Sequence, residues 1–158
     1  MSSALFTDTA PVRSDQRWAK QNDQSLRVGL GPDVLAAKGA MIGHRGALTV
    51  TAERTGGLAK LAKKVVTSED VALMRVSGRG EVWLAQEAAY VHTLHLEDEG
   101  VSLNSRNLLA LDATLSWDIN RIKGAGVMAG NGLFNTTVRG TGTVAVAGIT
   151  RVDEPVGE

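Results

Sequence analysis

The chain has 158 residues, with 17 Lys plus Arg set against 17 Asp plus Glu, so no net field draws it to nucleic acid or an anionic membrane. It has no cysteine, which excludes a disulfide framework, a thiolate metal site and a Cys nucleophile. Hydrophobic residues make up 43% but aromatics only 4%, so a single domain of this size must build its core from Val, Leu, Ala, Ile and Met.

Residues 1–23 are polar and unpatterned and read as a flexible N-terminal arm, in which Trp18 is expected to tuck into a surface groove. They lack a basic start followed by an apolar stretch, and Asp8, Asp15 and Asp23 interrupt any transit-peptide pattern. No run approaches the roughly 20 apolar residues of a membrane span. The cytoplasm is the expected location.

From Leu26 onward short alternating runs broken by glycine give the β signature, and the 18 glycines favour tight turns and bulges. Leu48 and Val50 share one strand face, as do Val82 and Leu84, Leu115 and Trp117, and Val144 and Val146. These eight positions form the expected core. Glu81 and Trp83 then lie on the opposite face of their strand, which makes Trp83 a candidate subunit or partner contact unless the N-terminal segment covers it. One stretch, LAKLAKKVV at 58–66, has helical spacing, with Leu58, Leu61, Ala62 and Val65 on one side and Lys60, Lys63 and Lys64 on the other. It predicts a short surface helix, with a basic lipid- or nucleic-acid-binding face as the sharper alternative.

The chain also echoes itself. GRGEVWLAQ at 78–86 returns 62 residues later as GTGTVAVAG at 140–148. Upstream, VLAAKGAMI at 34–42 answers VSLNSRNLL at 101–109, and GALTV at 46–50 answers ATLSW at 113–117, both at an offset of 67. The expected architecture is therefore an all-β, antiparallel sandwich or roll of two tandem repeats, about 26–87 and 91–150. They form one domain over 24–150, followed by a tail at 151–158.

Chemical signatures are weak. His92 and His95 stand beside Glu97, Asp98 and Glu99, but residues three apart on a strand face opposite ways and cannot share an ion. His92 is instead expected to be a hydrogen-bonded interior residue. GAGVMAGNG at 124–132 imitates a dinucleotide loop without its spacing or a following helix. No nucleophile elbow appears, so no catalytic residue, cofactor or metal is assigned.

The motifs GAMIG (39–43), GRGEVWLA, NLLALDATLSWDI and GNGLFNTTVRGTGTVAVAG resemble those of the altered inheritance of mitochondria protein twenty-four family, over roughly residues 26–148. That resemblance implies an all-β fold similar to the tryptophan RNA-binding attenuator protein, with related β modules repeated in one chain. It carries no established catalytic residues. Fuller members continue into a third module where this chain has ITRVDEPVGE, so an open strand edge and self-association are expected, or a compact variant, or a shortened product. The leading reading is a non-enzymatic, oligomeric scaffold that contacts itself or a protein partner. The alternative is a small-ligand or nucleic-acid module using Lys60, Lys63, Lys64 and the 124–132 loop. A hydrolase stands last.

Overall fold

Alternating apolar and polar residues become strands wherever the alternation runs on. A computed structural model describes residues 15–53, 73–121 and 134–148. They form strands β1 (Trp18–Asn22), β2 (Ser25–Leu30), β3 (Val34–Ala37), β4 (Met41–Glu53), β5 (Leu73–Leu84), β6 (Tyr90–Asn104), β7 (Leu108–Asp112), β8 (Ser116–Arg121) and β9 (Phe134–Gly148). A single-turn 3-10 segment at Ser105–Asn107 joins β6 to β7, capped by the Asn104 side chain accepting from the Arg106 N–H.

All nine strands belong to one curled antiparallel sheet in the order β1-β2-β5-β3-β7-β9-β6, with β4 also on β5 and β8 also on β9. Two strands organise it. β5 holds β2, β3 and β4, while β9 holds β6, β7 and β8. The two groups meet in the sheet through β3 and β7, where Val34, Leu35 and Ala36 pair with Asp112, Leu111 and Ala110. The curl brings the far ends together, and the Val91 N–H donates to the Asp23 carbonyl at 2.9 Å.

The core lies on both sides of this join. On one side Leu26, Val28, Val34, Val76, Val82 and Leu84 pack with Leu109 and Ala110. On the other side Leu35 and Leu73 pack with Leu96, Leu108, Leu111, Leu115, Val138 and Val144. Because strand side chains alternate, β3 sends Val34 and Ala36 one way and Leu35 the other. That explains why β3 and β7 read as unbroken apolar runs.

Of the expected core positions, Val82, Leu84, Val144 and Leu115 are buried, while Leu48, Trp117 and Val146 are half-buried. Val50 is a correction: it is 40% exposed. Its partner Val76 has strands on both sides, whereas β4 pairs only with β5 among the described residues. The arm at 1–23 is corrected in its last part, since Trp18–Asn22 is strand β1, paired to β2. Trp18 packs against the first core cluster, and the Arg17 guanidinium lies 5.8 Å from its ring centroid. The helix expected at 58–66, the 124–132 loop and the 151–158 tail lie outside the described residues.

Glycine is obligatory where β4 and β5 cross closely. Gly80 has φ +134°, and a Cβ there would sit 1.9 Å from the Arg45 carbonyl oxygen. Gly80→Ala should therefore lose at least about 1–3 kcal/mol in urea unfolding from backbone strain. Gly31→Ala, with nothing within 4 Å of its Cβ, should stay within about 0.5 kcal/mol of the parent. Equal midpoints for the two variants would show that the close crossing does not constrain position 80.

Candidate interaction surface

Glu81 and Trp83 project from the same face of β5, since they are two residues apart on a strand. The register puts Arg27 of β2 and Gly43 of β4 opposite Trp83. Trp83 is half-buried, and its Nε1–H donates to Gln21 Oε1 of β1 at 3.1 Å. The N-terminal strand thus supplies its cover.

Glu81 lies between two arginines. Arg27 Nη1 donates to Glu81 Oε1 at 2.9 Å, and Arg45 Nη2 donates to Oε2. The two ion pairs differ in depth: the Arg27 side chain is 7% exposed and that of Arg45 is 74% exposed. Arg27 is also fixed by the Gln16 carbonyl at 2.8 Å. The inner pair is structural, while the Arg45 side chain stands on the outer rim.

Three further ion pairs brace the β3 region. Arg75 donates through Nε and Nη2 to Glu53, both at 3.0 Å, and through Nη1 to Asp33 at 3.0 Å. The hydrogen bonds that Arg75 donates to Glu53 and then Asp33 raise its pKa further above its ordinary value, so it is charged throughout. Arg17 reaches from the β1 side to Asp112, and its Nε donates to the Gly29 carbonyl at 2.9 Å. Asp112 also accepts from the Thr143 N–H at 2.8 Å.

The histidine–acid stretch lies on β6. His92 is half-buried, but its sheltered Nε2 has no hydrogen-bond partner, which corrects the expected hydrogen bonding at that atom. His95 Nδ1 lies 3.4 Å from Thr143 Oγ1. Glu97, Asp98 and Glu99 are all exposed. They sit at a bulge between Leu96 and Glu99, where the Asp98 N–H donates to Thr141 Oγ1 at 3.0 Å. Among the described residues no group of three metal-ligating side chains converges. Lys60, Lys63 and Lys64 lie outside the described residues, so the structure brings Glu81 and Trp83 together and says nothing of the lysines.

An open groove of about 390 Å³ on the β8–β9 hairpin is lined by Ser116, Trp117, Asp118, Asn120, Thr137 and Arg139. The sequence reading missed it, and missed Arg27, Arg45 and Gln21. Only cross-strand register brings these residues together, and no local motif encodes that. Among the described residues no helix is long and apolar enough to cross a membrane.

The asymmetry at Glu81 is testable. Glu81→Gln removes the carboxylate from buried Arg27 and should destabilise by about 3 kcal/mol. Arg45→Ala, at the exposed end, should change stability by less than about 1 kcal/mol. Chemical denaturation of both variants checks this, and the reverse ranking would show that the outer pair holds the strand.

No curated protein matches the chain significantly. Among solved structures, it is similar to the crystal structure of a Streptococcus pyogenes protein from a structural genomics consortium. The TM-score is 0.58 with 23% identity, covering 82% of this chain and 62% of that one. At that identity the likeness concerns the fold alone, and this chain spans under two thirds of the other's length. The family model described as Mitochondrial biogenesis AIM24 matches residues 18–155, most of the sequence and all nine strands of the curled sheet; the chain belongs to that family.

Proposed function

We propose that the chain is a non-enzymatic β scaffold that works by self-association. One observation carries this reading. The large hydrophobic side chains exposed among the described residues are Ile42, Val50 and Leu94, and all three lie on β4 and β6. These strands are 13 and 15 residues long, and among the described residues each has one partner in the sheet, β5 for β4 and β9 for β6. A long edge offers a row of unpaired N–H and C=O groups, and apolar side chains on it favour pairing with another strand.

Membership of the family supplies no ligand. A fold like that of the tryptophan RNA-binding attenuator protein, which the family resemblance implies, would by itself transfer no RNA site. Trp83, held by Gln21, is assigned to closing the β1 side, and Arg45 to the rim of the associating edge.

Native mass spectrometry and light scattering on the full chain test the scaffold. A defined multimer at micromolar concentration is expected. A monomer that persists as concentration is raised would overturn the reading.

A further inference from the structure

The β3–β7 join inside the chain has a matching counterpart on its outside that is unpaired among the described residues. On β5, Val76 is flanked by Val34 and Val50; on β9, Val138 is flanked by Val101 and Trp117. Val138 lies 62 residues after Val76, while Val101 and Trp117 lie 67 residues after Val34 and Val50. The same offsets hold at the other end of the strands, where Met41 pairs with Leu84 and Leu108 with Val146. The β4–β5 and β7–β9 ladders even share a bulge. Between Met41 and Gly43 the register shifts past Ile42, and between Leu108 and Ala110 it shifts past Leu109. Gly78, Gly80, Gly140 and Gly142 all have positive φ. The chain thus has two modules built alike, one around β5 and one around β9.

Equivalent residues in the two modules are not equally covered. Leu109, at the bulge of β7, is fully buried because it enters the core of the first module beside Val34 and Ala36. Ile42, at the same bulge of β4, is 64% exposed. The surface that receives Leu109 is closed in the first module, with Val34, Ala36 and Leu84 all at 0% exposure. Its counterparts in the second module, Val101, Leu103 and Val146, remain partly exposed. Among the described residues, one molecule therefore presents an exposed knob on β4 and a partly exposed seat on β6.

Resting on the scaffold reading, we infer that a second copy of this chain fills that seat: the first part of β4 from one copy pairs antiparallel with the last part of β6 from another, reproducing the β3–β7 join between molecules. The internal pairs Val34–Asp112, Leu35–Leu111 and Ala36–Ala110 set the register. Applying the offset of 67 places Val101 opposite Arg45, Ser102 opposite His44, and Leu103 opposite Gly43 of the neighbour. Ile42 then enters the surface formed by Val101, Leu103 and Val146. Charge agrees with this polarity. The β6 edge carries exposed Glu97, Asp98 and Glu99, and the approaching hairpin carries exposed Arg45 and Arg79. The contact is head-to-tail, because knob and seat lie on different strands, so it propagates to a ring or a filament.

The chain has no cysteine, which makes site-directed cross-linking clean. His44 and Ser102 are both exposed, so His44→Cys and Ser102→Cys should fold. Mixed in equal amounts and treated with a short bis-maleimide, the two variants should give a covalent dimer joining one copy of each, while either alone should give at least tenfold less. Ile42→Lys, at an exposed position, should keep the parent's unfolding midpoint and raise the dissociation constant at least about tenfold. If the parent is monomeric, the scaffold reading and this inference both fall. If it is multimeric but the mixed pair does not cross-link and Ile42→Lys keeps the parent mass, association occurs elsewhere. The scaffold then stands and this interface is overturned.

Discussion

The architecture hangs on one short antiparallel join, the pairing of β3 with β7. Three residue pairs link the group of strands around β5 to the group around β9. So small a ladder holds because both strands are buried on both faces: Val34, Leu35, Ala36, Leu109, Ala110 and Leu111 are all at or below 1% exposure. Each fully buried Val or Leu contributes roughly 1.5–3 kcal/mol. The Arg17–Asp112 ion pair at the end of the join contributes less on its own, because the Arg17 side chain is 26% exposed and partly screened by solvent. Its role is geometric. Asp112 also accepts the Thr143 N–H, so one carboxylate ties the N-terminal segment to both β7 and β9.

The all-β class was legible because alternation and glycine placement are local signals. GRG and GTG look alike in the sequence and have alike backbones, with positive φ at all four glycines. The reason is visible at Gly80, where the opposing carbonyl leaves no room for a Cβ. Burial was legible where a strand has neighbours on both sides, as at Val82 and Val144, and illegible where it does not. Val50 has the same alternation as Leu84, yet it sits on an edge strand; alternation reports which face a residue takes, not whether anything lies beyond it. Strand β1 escaped notice for a related reason. WAKQN shows little alternation, and its place is fixed by pairing with β2 and by the Trp83–Gln21 hydrogen bond.

The candidate surface was less readable still. Glu81 and Trp83 could be placed on one face from spacing alone. That Glu81 lies between Arg27 and Arg45 depends on which strands flank β5, and these residues are 54 and 36 positions away. The unbroken apolar runs VLA in β3 and LLAL in β7 did contain a clue. A strand with no polar alternation is covered on both faces, and two such strands must lie inside a sheet rather than at its rim.

Exposed edges are hazards that natural β proteins blunt with charge, bulges and glycine kinks. β4 and β6 carry all of these: Arg45 and Gly46 on one, the acidic bulge at 97–99 on the other. Those devices oppose indiscriminate stacking, because a charged bulged edge cannot meet its own kind in register. They do not oppose a partner edge of opposite charge. The placing of Ile42 at the bulge of β4 makes sense on this view. A strand shielded only against aggregation would carry a polar residue there, since burial on the parent sheet demands nothing of a side chain that is 64% exposed. A one-residue slip would turn Ile42 away from any apolar seat, so the same geometry that permits association also fixes its register.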